Sequence, residues 1–177
     1  MLNSKPNKNK NYHQGNFIPK NKDKVLKLNS EGGLYYRSGL EQKIMIWLDN
    51  KENIIQWGAE CLEIPYQRTH IIKGEKKLKS HRYYPDFFYI IESDDGARKY
   101  VVVEAKSMKE YKNVILLKEK KMEVPKSGHK KLKNFEYDLK EAHKNMAKWE
   151  QMIKWCDKKG YEFIIITEQH LKKLINQ

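Results

Sequence analysis

Two carboxylates and a lysine, set at the ends of two short apolar runs, are the residues of this 177-residue chain best placed to do chemistry. Asp86 stands between Pro85 and the run Phe87-Phe88-Tyr89-Ile90-Ile91. Glu104 closes the run Tyr100-Val101-Val102-Val103, and Lys106 follows two positions later. The β-branched and aromatic content predicts two strands, joined into a hairpin by the turn Ser93-Asp94-Asp95-Gly96. Burying a carboxylate in such a strand is costly unless it is paired or holds a cation. Side chains alternate along a strand, so Glu104 and Lys106 face one way, Ala105 the other, and Asp86 on the paired strand can stand opposite them. Hard oxygen ligands of this kind suit Mg2+ or Mn2+, which bind through few carboxylates and keep waters for substrate phosphates. With a lysine beside them, the set has the composition of a metal-dependent phosphodiesterase site. The competing reading is a structural hairpin with an edge aspartate and a surface Glu–Lys pair.

Several elements must position these residues. Ser38 is placed to cap a helix over Gly39–Asp49, with Glu41 at capping-box spacing and Leu40, Ile44, Trp47 and Leu48 as its buried stripe. Glu41 has two readings, a capping glutamate or a first-helix carboxylate aimed into the site. A strand-like run from Ile54 to Ile64 is closed by Pro65. Within it Glu60 either supports the site, in or behind the metal shell, or faces water. Residues 67–80 are basic and polar and are expected to form a loop, with His70 a solvated loop histidine. Residues 107–133 hold nine lysines against three glutamates, a net of +6, and predict a basic flap suited to phosphate contacts. A long helix is expected from about Tyr137 to Lys159, with Leu139, Ala142, Met146, Trp149 and Ile153 on its apolar face and Gly160 as its stop. A buried strand, Tyr161–Ile166, and a final helix capped by Thr167 complete the chain. Helix, three strands, helix, strand, helix is an α/β order. A meander of three strands and one crossover gives a three-layer arrangement.

Composition narrows the partner. Thirty-six Lys+Arg against 23 Asp+Glu leave a net charge of +13 and a pI near 9.5, a balance that favours a polyanion such as nucleic acid. Two cysteines, Cys61 and Cys156, make no disulfide framework or zinc cluster. No apolar run approaches the roughly 20 residues of a membrane span, and the N-terminus has no secretory apolar core. Residues 1–33 are expected to be a flexible or wrapping basic arm, since residues 1–30 carry seven lysines and one aspartate.

The pattern Pro85-Asp86 … Glu104-Ala105-Lys106 resembles the motif of the PD-(D/E)xK nuclease superfamily. That resemblance implies a restriction-endonuclease-like three-layer core, a mixed four-stranded sheet flanked by helices. A closer resemblance is to the head completion nucleases of T-even-type tailed phages. It rests on Tyr36-Arg37-Ser38-Gly39-Leu40-Glu41, Trp57 with Glu60, Ile64-Pro65-Tyr66, His81-Arg82-Tyr83-Tyr84-Pro85-Asp86-Phe87 and Val103-Glu104-Ala105-Lys106. Lys148-Trp149, Trp155-Cys156, Lys159-Gly160-Tyr161-Glu162-Phe163 and Thr167-Glu168 follow, in the same order over most of residues 35–171. The resemblance implies a nuclease domain over residues 34–177 with a Lys-rich insertion at about 107–135. The basic arm and that insertion are where this chain departs from the family. What it implies for function is a metal-dependent DNA endonuclease that processes or protects DNA ends in the packaged head before neck and tail joining. It would work in the host cytoplasm during assembly or in the virion, contacting DNA without sequence preference and meeting phage head or neck proteins. Asp86, Glu104 and the Ala105 carbonyl would hold Mg2+ or Mn2+, Glu41 would join the shell, Glu60 would stand behind it, and Lys106 would position water or meet the phosphate. Junction resolution, transposon end cleavage and non-catalytic DNA or capsid binding are the alternatives.

Overall fold

The structure, a computed structural model, describes residues 13–72 and 75–176, without the side chains of residues 68–72 and 76. Its elements run β1 (Gly15–Phe17), β2 (Leu34–Tyr36), α1 (Gly39–Asn50), β3 (Ile54–Ala59), β4 (Ile64–Ile72), β5 (Glu75–Tyr83), β6 (Phe87–Glu92) and β7 (Arg98–Ala105). Then come α2 (Met108–Lys118), α3 (His129–Lys159), β8 (Glu162–Ile166) and α4 (Glu168–Ile175). The apolar runs read from the sequence pair as one mixed sheet in the order β3-β6-β7-β8. β6 is antiparallel to both neighbours, and β8 lies parallel to β7 after the crossover through α3 that parallel pairing needs.

Alternation divides the sheet into two faces. Phe87, Tyr89, Val101 and Val103 pack with Ile44, Met45 and Leu48 of α1 and Leu171 of α4, around the fully buried Trp57. Phe88, Ile90 and Val102 pack with Met152 and Cys156 of α3 and with Ile64, Tyr66 and Tyr83 of the β4–β5 pair. Helices on both faces make the expected three layers. Asp86 and Glu104 share the parity of Phe88 and Val102, so the α3 layer covers them. The helix signals hold at the atomic level: Ser38 Oγ accepts the Glu41 N–H at 3.1 Å, Thr167 Oγ1 accepts the His170 N–H at 3.3 Å, and Gly160 ends α3 at φ +68°. Burial pushes the Cys61 and Cys156 thiols up to about 11, so both stay protonated and free. No helix among the described residues is long and apolar enough to cross a membrane.

Four expectations are corrected. The run from Ile54 to Ile64 is two elements, because Glu60 turns the chain at φ +46° after β3. Pro65 lies inside β4, where a two-stranded pairing leaves edges that tolerate it. Residues 67–80 are no loop but most of the β4–β5 hairpin, and His70 falls in β4. The lysines hid it, since a ribbon with little buried surface shows no hydrophobic alternation. The Lys-rich flap contains α2, with a full capping box between Ser107 and Glu110 and a buried Val114. α3 starts at His129 rather than Tyr137. Tyr111, Val114 and Leu117 form a narrow stripe that packs with Ala142, Met146 and Trp149. Finally, residues 1–12 of the expected arm lie outside the described residues, but residues 13–33 are laid along the domain. β1 pairs with β2, Val25 bridges to Trp57, and Phe17, Val25 and Leu28 pack on the first core.

Candidate active site

The hairpin register builds the site. Phe87 pairs with Val103, which brings Asp86, just before β6, beside Glu104 in β7. Glu104 is 2% exposed. Its Oε2 accepts from the Tyr83 hydroxyl in a very short contact, and its Oε1 lies 3.0 Å from Lys106 Nζ. Asp86 Oδ2 accepts the Ala105 N–H at 2.7 Å, while Oδ1 makes no hydrogen bond among the described residues. The Asp86 carbonyl in turn accepts the Glu60 N–H at 3.0 Å. Asp86, Glu104 and Lys106 are therefore brought together as the strand spacing predicts, with the Ala105 peptide between them.

The electrostatics follow from burial and crowding. Burial first and the Glu104 carboxylate second push the Asp86 carboxyl well above the usual carboxylate range. Glu41 adds to that rise, and Lys106 and the Ala105 N–H oppose it. Burial alone would pull the Lys106 ammonium down, but Glu104 and Asp86 overcome it and hold the group above the ordinary lysine range. Burial and Glu104 raise Tyr83, which stays a neutral phenol and donates.

Glu41 and Glu60 behave differently. Glu41 sits in the first turn of α1, on the opposite layer, and its carboxylate accepts the Arg37 N–H at 2.8 Å and the Ser38 hydroxyl at 3.0 Å. The cap is present with its return bond shifted by one residue, and the charge of Glu41 is still felt at Asp86. Glu60 occupies the turn after β3 and forms a bidentate pair with Arg37 at 2.5 and 3.1 Å. Its side chain is engaged there, and its backbone is what touches Asp86.

Two residues escaped the sequence reading. Tyr83 was visible only as one aromatic in the His81–Asp86 stretch. Lys148 of α3 lies over the Tyr83 ring, 4.7 Å from its centroid. Burial holds the Lys148 ammonium below the ordinary lysine range, with Glu104 opposing that fall and Lys106 adding to it, so Lys148 belongs to the same electrostatic cluster. Nothing in its spacing marks it among 36 cations; only the packing of α3 brings it here.

Among the described residues no three His, Cys, Asp or Glu side chains form a cage able to enclose a metal unaided. What the site offers is two carboxylates with the Ala105 peptide between them, an all-oxygen set of the sparse kind that Mg2+ and Mn2+ accept. Burial raises Asp86 most, and Glu104 and Glu41 add negative charge beside it that a cation would relieve. The residues present fit such an ion.

Two comparisons with known proteins bear on the family of the chain. The family described as TnsA-like endonuclease N terminal matches residues 51–168, a span that contains Asp86, Glu104, Lys106, Tyr83 and Lys148 and leaves Glu41 outside. The head completion nuclease of Enterobacteria phage T4 is 28% identical over 162 residues, covering 92% of this chain and 95% of that protein. Both agree with the resemblance carried by the motifs. With most of its length inside the family match and a mixed four-stranded sheet between helices, the chain belongs to the TnsA-like endonuclease N-terminal family, nucleases of restriction-endonuclease-like fold.

Proposed function

We propose that this protein is a divalent-metal-dependent DNA endonuclease of phage head completion, processing or protecting the ends of packaged DNA before neck and tail joining. The observation that carries the reading is the cluster of Asp86, Glu104 and Lys106 around the Ala105 peptide, with Asp86 pushed up by burial and Glu104. A Mg2+ or Mn2+ ion held by Asp86, Glu104 and the Ala105 carbonyl would supply the Lewis acid that activates water and neutralises phosphate charge. The chain's own residues do the rest. Tyr83 and Lys106 fix the Glu104 carboxylate from two sides, one bond to each oxygen. Lys106, permanently charged, stabilises negative charge on the phosphate or steadies the attacking water. Lys148 adds a second cation on the α3 side, and Glu41 completes the shell or orients the water. The partners are DNA and a head or neck protein, met in the host cytoplasm during assembly or in the virion.

Likeness to the phage protein over 92% of the chain supports the head completion role. The family match, over residues 51–168, supports an endonuclease without naming its substrate, and a nuclease of transposon ends or junctions is the second reading. Cleavage assays on linear, circular and branched duplexes with Mg2+, Mn2+ or EDTA test both. Metal-dependent cutting of linear or circular DNA is expected, with none in EDTA. Cutting confined to branched DNA would favour the junction reading. Failure on every substrate with either ion rejects the nuclease reading.

Tyr83 supplies a narrower prediction. Tyr83→Phe removes one donor from a carboxylate that is 2% exposed. An unsatisfied buried acceptor costs about 1–3 kcal/mol, and loss of a group that orients a ligand typically costs roughly 10–100-fold in activity. The variant should therefore melt earlier and cut 10–100-fold more slowly; unchanged kinetics would show that the Tyr83–Glu104 bond plays no part in positioning.

A further inference from the structure

Among the described residues β4 and β5 form a sheet of their own, paired from Ile64–Tyr83 at the base to Ile72–Glu75 at the tip. Ile64, Tyr66 and Tyr83 anchor the base against α3 and the main sheet. Outward of the half-buried His81 the described side chains of β5 are exposed. A two-stranded ribbon has no core of its own and is marginal in water, so its outer half gains little from the rest of the chain.

Strand alternation sorts the ribbon's residues. Tyr83, His81, Lys79 and Lys77 share one face of β5, and the register sets Tyr66, Arg68 and His70 of β4 across from His81, Lys79 and Lys77. Tyr83 is the residue bonded to Glu104, so this face begins at the candidate active site. Next outward, the Tyr66 and His81 rings lie 5.3 Å apart. Beyond them stand Lys79 and Lys77, and Lys77 Nζ touches Glu75 two residues on at 3.1 Å, as residues on one face do. The other face of β5 presents Leu78, 63% exposed, with Ser80 and Arg82; Arg82 lies 3.6 Å from Glu63. The ribbon thus carries an aromatic and then cationic stripe on the face continuous with Glu104.

The geometry points to this face of the ribbon as a track for the sugar–phosphate backbone of duplex DNA on one side of the scissile phosphate. The placement beside the scissile phosphate rests on the nuclease reading above; the binding itself does not. At ~3.3 Å per residue the stripe from Tyr83 to Lys77 runs about 20 Å, roughly half a helical turn or about 6 base pairs. Lysine ammoniums are compact, strongly hydrated point charges suited to phosphate oxygens, so Lys77 and Lys79 are assigned to phosphates, which position the duplex without reading its sequence. The net charge of +13 supplies the long-range attraction, and the ribbon supplies direction.

Binding measured without cleavage tests it. Fluorescence anisotropy would follow the full chain on a labelled linear duplex in EDTA, between about 50 and 200 mM salt, the range over which phosphate contacts show. Each lost phosphate contact removes about 0.9 from the slope of log K against log salt. The paired change Lys77→Ala with Lys79→Ala should lower that slope by about 2, while Lys77→Arg with Lys79→Arg keeps it. The control is Lys158→Ala with Lys159→Ala, exposed lysines at the end of α3, before β8 enters the sheet beside Val101 and away from Glu104. It removes the same charge and should leave the slope unchanged. An unchanged slope in the ribbon alanine pair, an equal loss in the control pair, an equal loss in the arginine pair, or a parent chain that does not bind duplex overturns the inference. A parent that binds through the ribbon but cuts nothing with Mg2+ or Mn2+ overturns the nuclease reading and leaves the ribbon's role standing.

Discussion

Asp86→Asn is expected to abolish metal-dependent cleavage and, in metal-free buffer, to raise the melting temperature. The amide keeps an oxygen for the Ala105 N–H, so the 2.7 Å bond that seats the side chain survives. What disappears is the charge, and with it the ability to hold a divalent ion. The rate should fall on the order of 10³-fold or more, beyond the loss of a single stabilising donor. The stability gain follows from the same charge. A carboxyl whose pKa is raised on folding binds its proton more tightly in the folded state, so its ionisation costs stability. That cost is absent below the unfolded pKa of about 3.9. It grows as pH rises and is complete above the raised folded value. The variant should therefore match the parent in acid and exceed it at neutral pH, at about 2–4 °C per kcal/mol for a chain of this size. Glu104→Gln makes the contrast. It should lose cleavage to a similar degree and also lose stability, by about 1–3 kcal/mol, because Lys106 and Tyr83 both depend on the full carboxylate. Thermal melts in EDTA across pH, set beside cleavage rates, check all four outcomes. Two variants that cut as well as the parent would end the assignment of this site.

The part of the fold that buries apolar surface was legible from residue types alone. β6 and β7 could be read because their residues are β-branched or aromatic on both faces, and the Asp95-Gly96 turn sits between them. β8 and α3 could be read because parallel pairing demands a crossover and Gly160 ends the helix. The β4–β5 ribbon could not. Its outer residues bury no face, so no period-2 pattern forms, and nine-residue strands looked like a polar loop. α2 was hidden by the opposite problem. Its buried stripe is so narrow, with Val114 the one residue of the helix that is fully buried, that lysines dominate the segment.

The site divides in the same way. Asp86, Glu104 and Lys106 are close in sequence through one hairpin, so alternation alone brings them together. Tyr83 and Lys148 arrive from the ribbon and from α3, elements whose approach to Glu104 depends on how they pack on the sheet. No spacing rule spans the 43 residues between Glu104 and Lys148. Glu60 shows a different limit. Its readings are a carboxylate in or behind the metal shell and a strand residue facing water, and the turn at φ +46° gives its carboxylate to Arg37 and its N–H to the Asp86 carbonyl.

Lys106→Met is expected to slow cleavage on the order of 10²–10³-fold, the scale of losing one preorganised charge-stabilising group. Methionine keeps much of the length and apolar stem of lysine, so the change isolates the ammonium. In the parent, Glu104 at 3.0 Å and Asp86 nearby hold that ammonium above the ordinary lysine range despite its burial. A group so placed is charged at every pH at which the enzyme would work, and it has no lone pair with which to take a proton from water. Its role is electrostatic: a fixed positive charge near the point where negative charge develops on the phosphate. The pH profile separates this from general-base catalysis. If Lys106 acted as the base, the parent's kcat/KM would rise with the ionisation of the lysine, and Lys106→Met would erase that limb. If it acts by charge, the variant's profile keeps the parent's shape and only its height drops. Removing the ammonium also leaves Tyr83 as the one hydrogen-bond partner of the Glu104 carboxylate among the described residues, so the variant's carboxylates should bind Mg2+ or Mn2+ at least as tightly as the parent's, measured by calorimetry without DNA. Weaker metal binding together with a shifted pH limb would remove Lys106 from the electrostatic role.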